Sequence, residues 1–316
     1  MKIEKKILGI QKNILLKNYT TFQVGGQAKY FLKVETKDEL IKVIQAVKKI
    51  NLPFFILGGG SNLLVSDKGY GGLIIKFQVS SFKFQDNEAY VGAGALLGNL
   101  VKTSADKGLS GLEWAAGIPG TLGGAIRGNA GAFEKSITDV IQEVEVLDVK
   151  DLKIKKLKNK DCNFGYRESV FKYNSNLIIL SAILRLKKRR QQDIQKKIQE
   201  YLDYRKTNHP LNFPSAGSVF KNPKIKIVDL KLLKEFPEIK NFNKKKIIPA
   251  GFLIEKSGLK GKKIGNVQIS EKHCNFIINL GKGKAEDVKK LINLAKAKVK
   301  DKFKINLEEE IYYLGF

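Results

Sequence analysis

The 316-residue sequence is short of the residues that build metal centres and disulfide scaffolds. It has two cysteines, Cys162 and Cys274, far apart and in no CxxC pattern, which excludes a disulfide framework and a zinc-ribbon site and leaves two ordinary reduced thiols. With two histidines, His209 and His273, a multi-histidine metal centre is arithmetically excluded. Apolar runs such as 73–75 and 276–278 fall far short of the roughly 20 residues a membrane-spanning helix needs, so no membrane insertion is expected. The N-terminal stretch MKIEKKILGIQKN lacks an uninterrupted apolar region and a small-residue cleavage site, so the expected location is cytoplasmic. Arginine is scarce too. The formal charge is +27, from 58 basic against 31 acidic residues, yet only Arg127, Arg167, Arg185, Arg189, Arg190 and Arg205 are arginine. Nucleic-acid readers rely on arginine for bidentate contacts and gather charge into a stripe. Here lysine is scattered over every exposed face, which argues for a solvated surface and against a nucleic-acid partner. The excess charge can also draw in an anionic substrate.

What remains is an ordinary globular composition, 43% hydrophobic and 28% charged, of a length that suits about two domains. Thr36-Lys37-Asp38-Glu39 has the form of a capping box, and Leu40, Ile41, Val43, Ile44 and Val47 follow at helical spacing, predicting a helix over 37–50. Tyr30 to Val34 before it and Phe54-Phe55-Ile56-Leu57 after it read as strands, giving an opening strand–helix–strand unit. From 70 to 185 short strand-like segments dominate, at 72–77, 89–91, 140–149 and 177–186. Residues 191–205 form an amphipathic helix with Ile194, Ile198, Tyr201 and Leu202 on one face, and mark the expected domain boundary. The remainder closes with a helix over 285–302, its stripe formed by Val288, Leu291, Ile292, Ala295 and Val299, and a last strand over 305–314.

Five segments can carry chemistry. The glycines of Leu57-Gly58-Gly59-Gly60-Ser61-Asn62-Leu63 follow a buried strand; such a nest suits a pyrophosphate, although turns of this kind also occur without a ligand. It is neither a Rossmann GxGxxG nor a P-loop. A second passage, 111–132, places seven glycines among small apolar residues and describes backbone packed closely on a flat object, either a nucleotide ring system or another part of the protein. Together the two loops suggest a dinucleotide clamped between two subdomains. In the third, Cys162 to Lys172, Arg167 beside Tyr166 suits a carboxylate or phosphate clamp or a structural salt bridge. The fourth, Pro214 to Pro223, leaves the Ser218 hydroxyl accessible among small residues; without a GxSxG elbow it reads as a proton donor or a turn serine, not a hydrolytic nucleophile. The fifth is the acidic triplet Glu308-Glu309-Glu310, in which Glu308 and Glu310 would share one strand face, as a solvated strand end would also present.

In order along the chain, these segments resemble the UDP-N-acetylenolpyruvoylglucosamine reductase family. The matching pieces are NYTTF (18–22) with Gly25-Gly26, LGGGSNLLV (57–65), GLEWAAGIPGTLGGAIRGNAGAF (111–133), CNFGYRESVFK (162–172), PSAGSVFKNP (214–223), AGFLIEKSGLKG (250–261) and LEEEIYYLG (307–315). The compact segment between Arg167 and Ser218 resembles the shorter, type II form. The resemblance implies an α+β fold: an FAD-binding module of the vanillyl-alcohol-oxidase (PCMH) type over 1–190, in subdomains of about 1–70 and 71–190, then a smaller α/β substrate-binding domain over 191–316. The last strand, about 305–315, would return to the FAD domain.

By the same resemblance, FAD is held by Gly58, Gly59, Gly60, Ser61 and Asn62 and by Gly117, Ile118, Pro119, Gly120, Gly123 and Gly124. NADPH reduces the flavin, which reduces an enolpyruvyl ether to a lactyl ether in peptidoglycan precursor synthesis. Arg167, Ser218 and Glu310 are the implied catalytic residues, with Ser218 giving the proton to the α-carbon. Tyr166, Asn222 and His273 are the implied substrate contacts, His273 standing where longer relatives carry glutamine. The partner is a UDP-sugar, and the protein acts as a monomer or weak oligomer without a metal. Three positions depart from the family pattern: Glu309 for proline, Gln27 for proline and Phe252 for tryptophan. A flavoenzyme of the same fold with another substrate would lack the 214–223 and 307–310 pieces; a lysine-rich binding protein without catalysis would lack Arg167, Ser218 or Glu310. All are present.

Overall fold

The computed structural model describes residues 7–316, which form two compact units. The first comprises 7–14, Ala28–Gly60 and Gly71–Thr207; the second comprises Leu15–Gln27, Ser61–Tyr70 and Asn208–Phe316.

The first unit contains a four-stranded sheet in the order Gln11–Leu15, Gln27–Val34, Tyr70–Phe77, Phe54–Leu57, in which the last two run parallel with Leu57 opposite Lys76. The helix Lys37–Lys49 joins Gln27–Val34 to Phe54–Leu57 and buries Leu40, Val43, Ile44 and Val47, the spacing that predicted it. Its cap differs slightly from the expected box. Thr36 Oγ1 accepts from the Glu39 N–H at 3.1 Å, but Glu39 Oε2 reaches back to the N–H of Glu35, one residue before the cap. An antiparallel five-stranded sheet follows, ordered Lys153–Lys158, Ile141–Asp148, Leu177–Arg185, Glu88–Gly92, Phe82–Gln85. Its Lys153–Lys158 edge strand is almost wholly exposed and carries four lysines, which discourages pairing with another sheet. The strands Phe82–Gln85 and Lys153–Lys158 have no apolar run and were not predicted.

The helix Gln191–Asn208 belongs to this unit. Ile194 is buried and Ile198 and Tyr201 pack against the core, as the predicted stripe requires, whereas Leu202 is exposed. Its deepest polar residue is Arg205, which donates from Nε to the Ala116 carbonyl at 2.8 Å and from Nη2 to that of Trp114 at 3.2 Å.

The second unit has its own core and a four-stranded antiparallel sheet, ordered Ser215–Ser218, Phe276–Asn279, Val267–Ile269, Lys263–Ile264. The helix Ala285–Phe303 buries the predicted stripe together with Ala285 and Phe303, and Asp67 caps its start by accepting from the N–H groups of Ala285 and Glu286. Phe252, where the family pattern has tryptophan, sits in an aromatic cluster with Phe236, Phe242 and Phe303. The predicted last strand is shorter than expected. Only Tyr312–Leu314 is a regular strand, paired in parallel with Leu63–Val65, and Glu309 makes a single bridge to Phe220.

Ile75 lies in the middle of the Tyr70–Phe77 strand and is fully buried. Ile75→Ala is expected to cost about 2–5 kcal/mol by leaving a cavity, while Ile154→Ala on the exposed edge should stay within about 0.5 kcal/mol. Denaturant midpoints of the two variants check this.

Candidate active site

In the first unit the two glycine passages meet backbone to backbone. A Cβ at Gly59 would lie 2.5 Å from Gly120 Cα, and one at Gly58 would lie 2.7 Å from Thr121 Oγ1. Gly60, Gly117 and Gly120 take φ values of +65°, +74° and +124°, which L side chains disfavour. The second passage is stitched down by its own N–H groups: Ile118 donates to Ala115 O, Gly123 to Ala93 O and Gly124 to Thr121 Oγ1. Arg205 holds its upstream end through the Trp114 and Ala116 carbonyls, and its Cδ would lie 3.0 Å from a Cβ at Gly117. Among the described residues the N–H groups of Gly59 and Gly60 have no protein acceptor. Two adjacent open donors on a turn that excludes side chains fit the pyrophosphate of FAD. Ser61 and Asn62, in the second unit, continue the turn, with Asn62 Nδ2 donating to the Glu310 carbonyl and Asn62 O accepting from the Tyr312 N–H. Pro119 lies between the glycines of the second passage.

Arg167 also lies in the first unit, in a two-residue hairpin closed by the reciprocal Gly165–Glu168 backbone bonds. It takes a left-handed φ of +59°, a conformation costing a non-glycine residue roughly 1–2 kcal/mol and concentrated at functional positions. The surroundings hold it there. Asn129 Nδ2 donates to Gly165 O at 2.7 Å, Ser169 Oγ to Arg127 O at 2.6 Å and Lys172 Nζ to Arg167 O at 2.8 Å. The Arg167 guanidinium donates to Gly131 O at 2.7 Å and lies 5.3 Å from the centre of the Tyr166 ring.

In the second unit Ser218 and Glu310 are brought together by the backbone. The Glu310 N–H donates to Val219 O at 2.8 Å, and the Lys221 N–H donates to Glu308 O, also at 2.8 Å. Ser218 follows Gly217, whose φ is +75°, at a register irregularity in its strand, and both Ser218 and Glu310 are half-buried. Asn275 fixes the other side of this segment. Its carbonyl accepts from the Val219 N–H, its Oδ1 from the Phe220 N–H, and its Nδ2 donates to Phe220 O. Asn222 Oδ1 accepts from the Ala250 N–H at 2.9 Å, at the start of the Ala250–Lys256 helix. His273 packs edge-on to His209 and Phe276, and burial holds its imidazole below the ordinary histidine range. Its Nδ1 accepts from the Asn275 N–H at 3.2 Å, which leaves the neutral ring's proton on Nε2.

The triplet divides its work differently from a simple strand. Glu308 is exposed and pairs with the buried Lys221 at 2.5 Å, while Glu309 accepts from Lys296 at 2.8 Å. Burial, then the bond to Glu309, raises the Tyr313 phenol above its ordinary value. Glu309 therefore has a structural occupation at the position where the family pattern has proline. Both cysteines are free and buried, and burial pushes Cys162 up to about 12 and Cys274 up to about 11. Neither is a nucleophile at neutral pH.

Sequence reasoning passed over Asn275, Arg205 and Lys76. Asn275 and Lys76 had a faint signal, a polar residue beside an apolar run, and Arg205 had none beyond its helix; neither pattern distinguishes a buried partner from a surface one.

Comparisons with known proteins place both parts of the chain in known families. Residues 28–157 match the family model described as an FAD binding domain, and residues 209–314 match the UDP-N-acetylenolpyruvoylglucosamine reductase C-terminal domain. The chain is therefore a flavin-dependent oxidoreductase of α+β fold, built from an FAD-binding domain and a reductase C-terminal domain. The UDP-N-acetylenolpyruvoylglucosamine reductase of Caldicellulosiruptor saccharolyticus is 42% identical over 316 residues, covering 99% of this chain and 94% of the relative. That of Clostridium tetani is 38% identical, covering 97% and 92%. The crystal structure of the Thermus caldophilus enzyme superposes with a TM-score of 0.76 at 34% identity, covering 96% of this chain and 99% of that one. The chain belongs to the UDP-N-acetylenolpyruvoylglucosamine reductase family.

Gly59→Val places a branched side chain where a Cβ alone would lie 2.5 Å from Gly120 Cα. The variant is expected to purify folded but colourless, and the ratio of flavin to protein absorbance checks it.

Proposed function

We propose that this protein reduces UDP-N-acetylglucosamine enolpyruvate to UDP-N-acetylmuramate in the cytoplasm, with NADPH as the electron source, for peptidoglycan precursor synthesis. The observation that carries the reading is the backbone bond from the Glu310 N–H to Val219 O, which holds the main chain of Glu310 alongside the segment bearing Ser218. Full-length similarity to reductases of that name supports the substrate. FAD binding falls to Gly58, Gly59, Gly60, Ser61 and Asn62 together with the Gly117–Gly124 passage. Substrate recognition falls to the second unit. The +27 charge favours an anionic UDP-sugar near the surface, without nucleic acid as a partner, and the protein acts as a monomer or weak oligomer.

When bound, FAD supplies hydride from NADPH to the terminal vinyl carbon of the enolpyruvyl ether. The chain's own task is the negative charge that then develops at the α-carbon and its carboxylate. Arg167 supplies positive charge for that enolate. Glu310 helps only as the neutral acid, which requires that its site favour the protonated form. Ser218 delivers the proton to the α-carbon, completing addition across the double bond, and regains a proton from solvent. A serine hydroxyl is a weak acid, so only a base as strong as this enolate makes the transfer effective. Neutral His273, with its proton on Nε2, and Asn222 and Tyr166 contact and order the substrate.

Ser218→Ala separates the half-reactions. Flavin reduction by NADPH develops no enolate and should remain near normal, whereas reoxidation by the enolpyruvyl substrate should slow by roughly 10²–10⁴-fold, the worth of general acid catalysis. Stopped-flow absorbance of each half-reaction checks this. Equal slowing of both would make Ser218 structural, and no slowing would remove it as the proton donor.

A further inference from the structure

Lys76 stands at the end of the Tyr70–Phe77 strand, in parallel register with Leu57, the last residue before the glycine turn. Its ammonium donates to the carbonyl of Gly58. The side chain is half-buried, and burial, with Lys33 on the neighbouring strand after it, holds the amine below the ordinary lysine value. The residues before it in the strand, Leu73, Ile74 and Ile75, are fully buried apolar side chains, and an apolar residue would cost less desolvation here than a cation.

The position explains why a charge is worth keeping. There is no cis peptide bond among the described residues, so the Gly58–Gly59 peptide is trans and its N–H points opposite to its C=O. A side chain that grips the carbonyl from within the fold therefore aims the Gly59 N–H the other way. That N–H has no protein acceptor among the described residues. A cation on the carbonyl also polarises the peptide and strengthens the N–H as a donor. We propose that Lys76 is a positioning residue for FAD: it orients and polarises the Gly58–Gly59 peptide so that the Gly59 N–H meets the pyrophosphate, and it sets a positive charge behind that dianion. The proposal rests on the assignment of the glycine turn to FAD made above.

The test is the affinity of apoprotein for FAD, measured by quenching of flavin fluorescence in the unsubstituted protein and in Lys76→Met, Lys76→Gln and Lys76→Arg. Thermal melts without FAD accompany each. Losing a charge-assisted bond should weaken FAD binding by about 10- to 100-fold in the Met and Gln variants, while Arg, which keeps the charge and the donors, should stay within about threefold. Met and Gln variants that bind within about twofold of the unsubstituted protein would overturn the proposal, since a charge-assisted bond is worth more than that. So would an Arg variant as weak as Met, because charge would then not be what the turn needs. If Lys76→Met does not fold, Gln against Arg decides on the same criteria. Unsubstituted apoprotein that takes up no FAD would remove the assignment of the turn and the proposal with it. Binding by that protein with unaffected variants removes the proposal alone.

Discussion

The face proposed for the cofactor in the first unit depends on two stretches of backbone lying closer than side chains allow. Gly58-Gly59 and Gly120-Thr121 come from segments separated by some sixty residues of sequence, and a single Cβ at 59 would drive them apart. Close approach of this kind is costly to arrange, because glycine-rich chain loses the most conformational freedom on folding. The fold meets that cost with fixed partners on every side. A parallel strand pair delivers the first turn, Thr121 caps the short helix after the second, and Arg205 ties two carbonyls upstream. What is left open is the pair of N–H groups of Gly59 and Gly60, on backbone that is held before any ligand arrives. Pre-organisation of this kind reduces the ordering that binding must pay for.

The second unit solves a different problem with a different device. Ser218, the proposed proton donor, has to be reachable yet held at one height, and in a regular strand successive residues would alternate strictly between two faces. The register irregularity at Gly217 breaks that alternation, and Asn275 replaces the missing ladder bonds with three of its own to Val219 and Phe220. The terminal segment then closes over the far side through Lys221 and Glu310. An aspartate at 275 would keep the acceptor and lose the Nδ2 donor to Phe220, leaving a buried carbonyl without its partner. The clamp therefore accounts for an asparagine at a position that is 3% exposed.

Much of this was legible in the sequence, and the reasons differ by element. The helices Lys37–Lys49 and Ala285–Phe303 announced themselves through a 3.6-residue apolar period that packing then used. The two glycine passages stood out by composition, since glycine at that density has few other uses. The family resemblance supplied Arg167, Ser218 and Glu310, and the structure adds the strained φ of Arg167 and the backbone bond that joins Glu310 to Val219. Less legible were Phe82–Gln85 and Lys153–Lys158, edge strands whose exposed residues carry no hydrophobic pattern. The last strand was over-extended because Ile305, Leu307 and Ile311 are buried without being in a regular strand. Asn275 and Lys76 escaped notice because their importance lies in which backbone atom they touch, and pattern does not encode that.

The lysine-rich composition acquires a sharper meaning once positions are known. Most of its ion pairs, such as Lys155 with Asp148 and Asp151 or Lys197 with Glu200, join partly exposed side chains and are worth between nothing and about 1 kcal/mol each. A minority of lysines do something a solvated charge cannot. Lys221 is 8% exposed and pairs with Glu308 beneath the Ser218 segment, and Lys76 meets the Gly58 carbonyl under the glycine turn. Both sit where a backbone segment has to be held in one orientation. Surface lysines set the charge of +27 and the long-range attraction for anions, a field that salt screens within about 10 Å. The two inner lysines act at hydrogen-bond range and in partial shelter from solvent, where screening is weakest. Composition therefore foretells how an anionic ligand is drawn to this protein, and individual burial decides where the backbone that receives it is fixed.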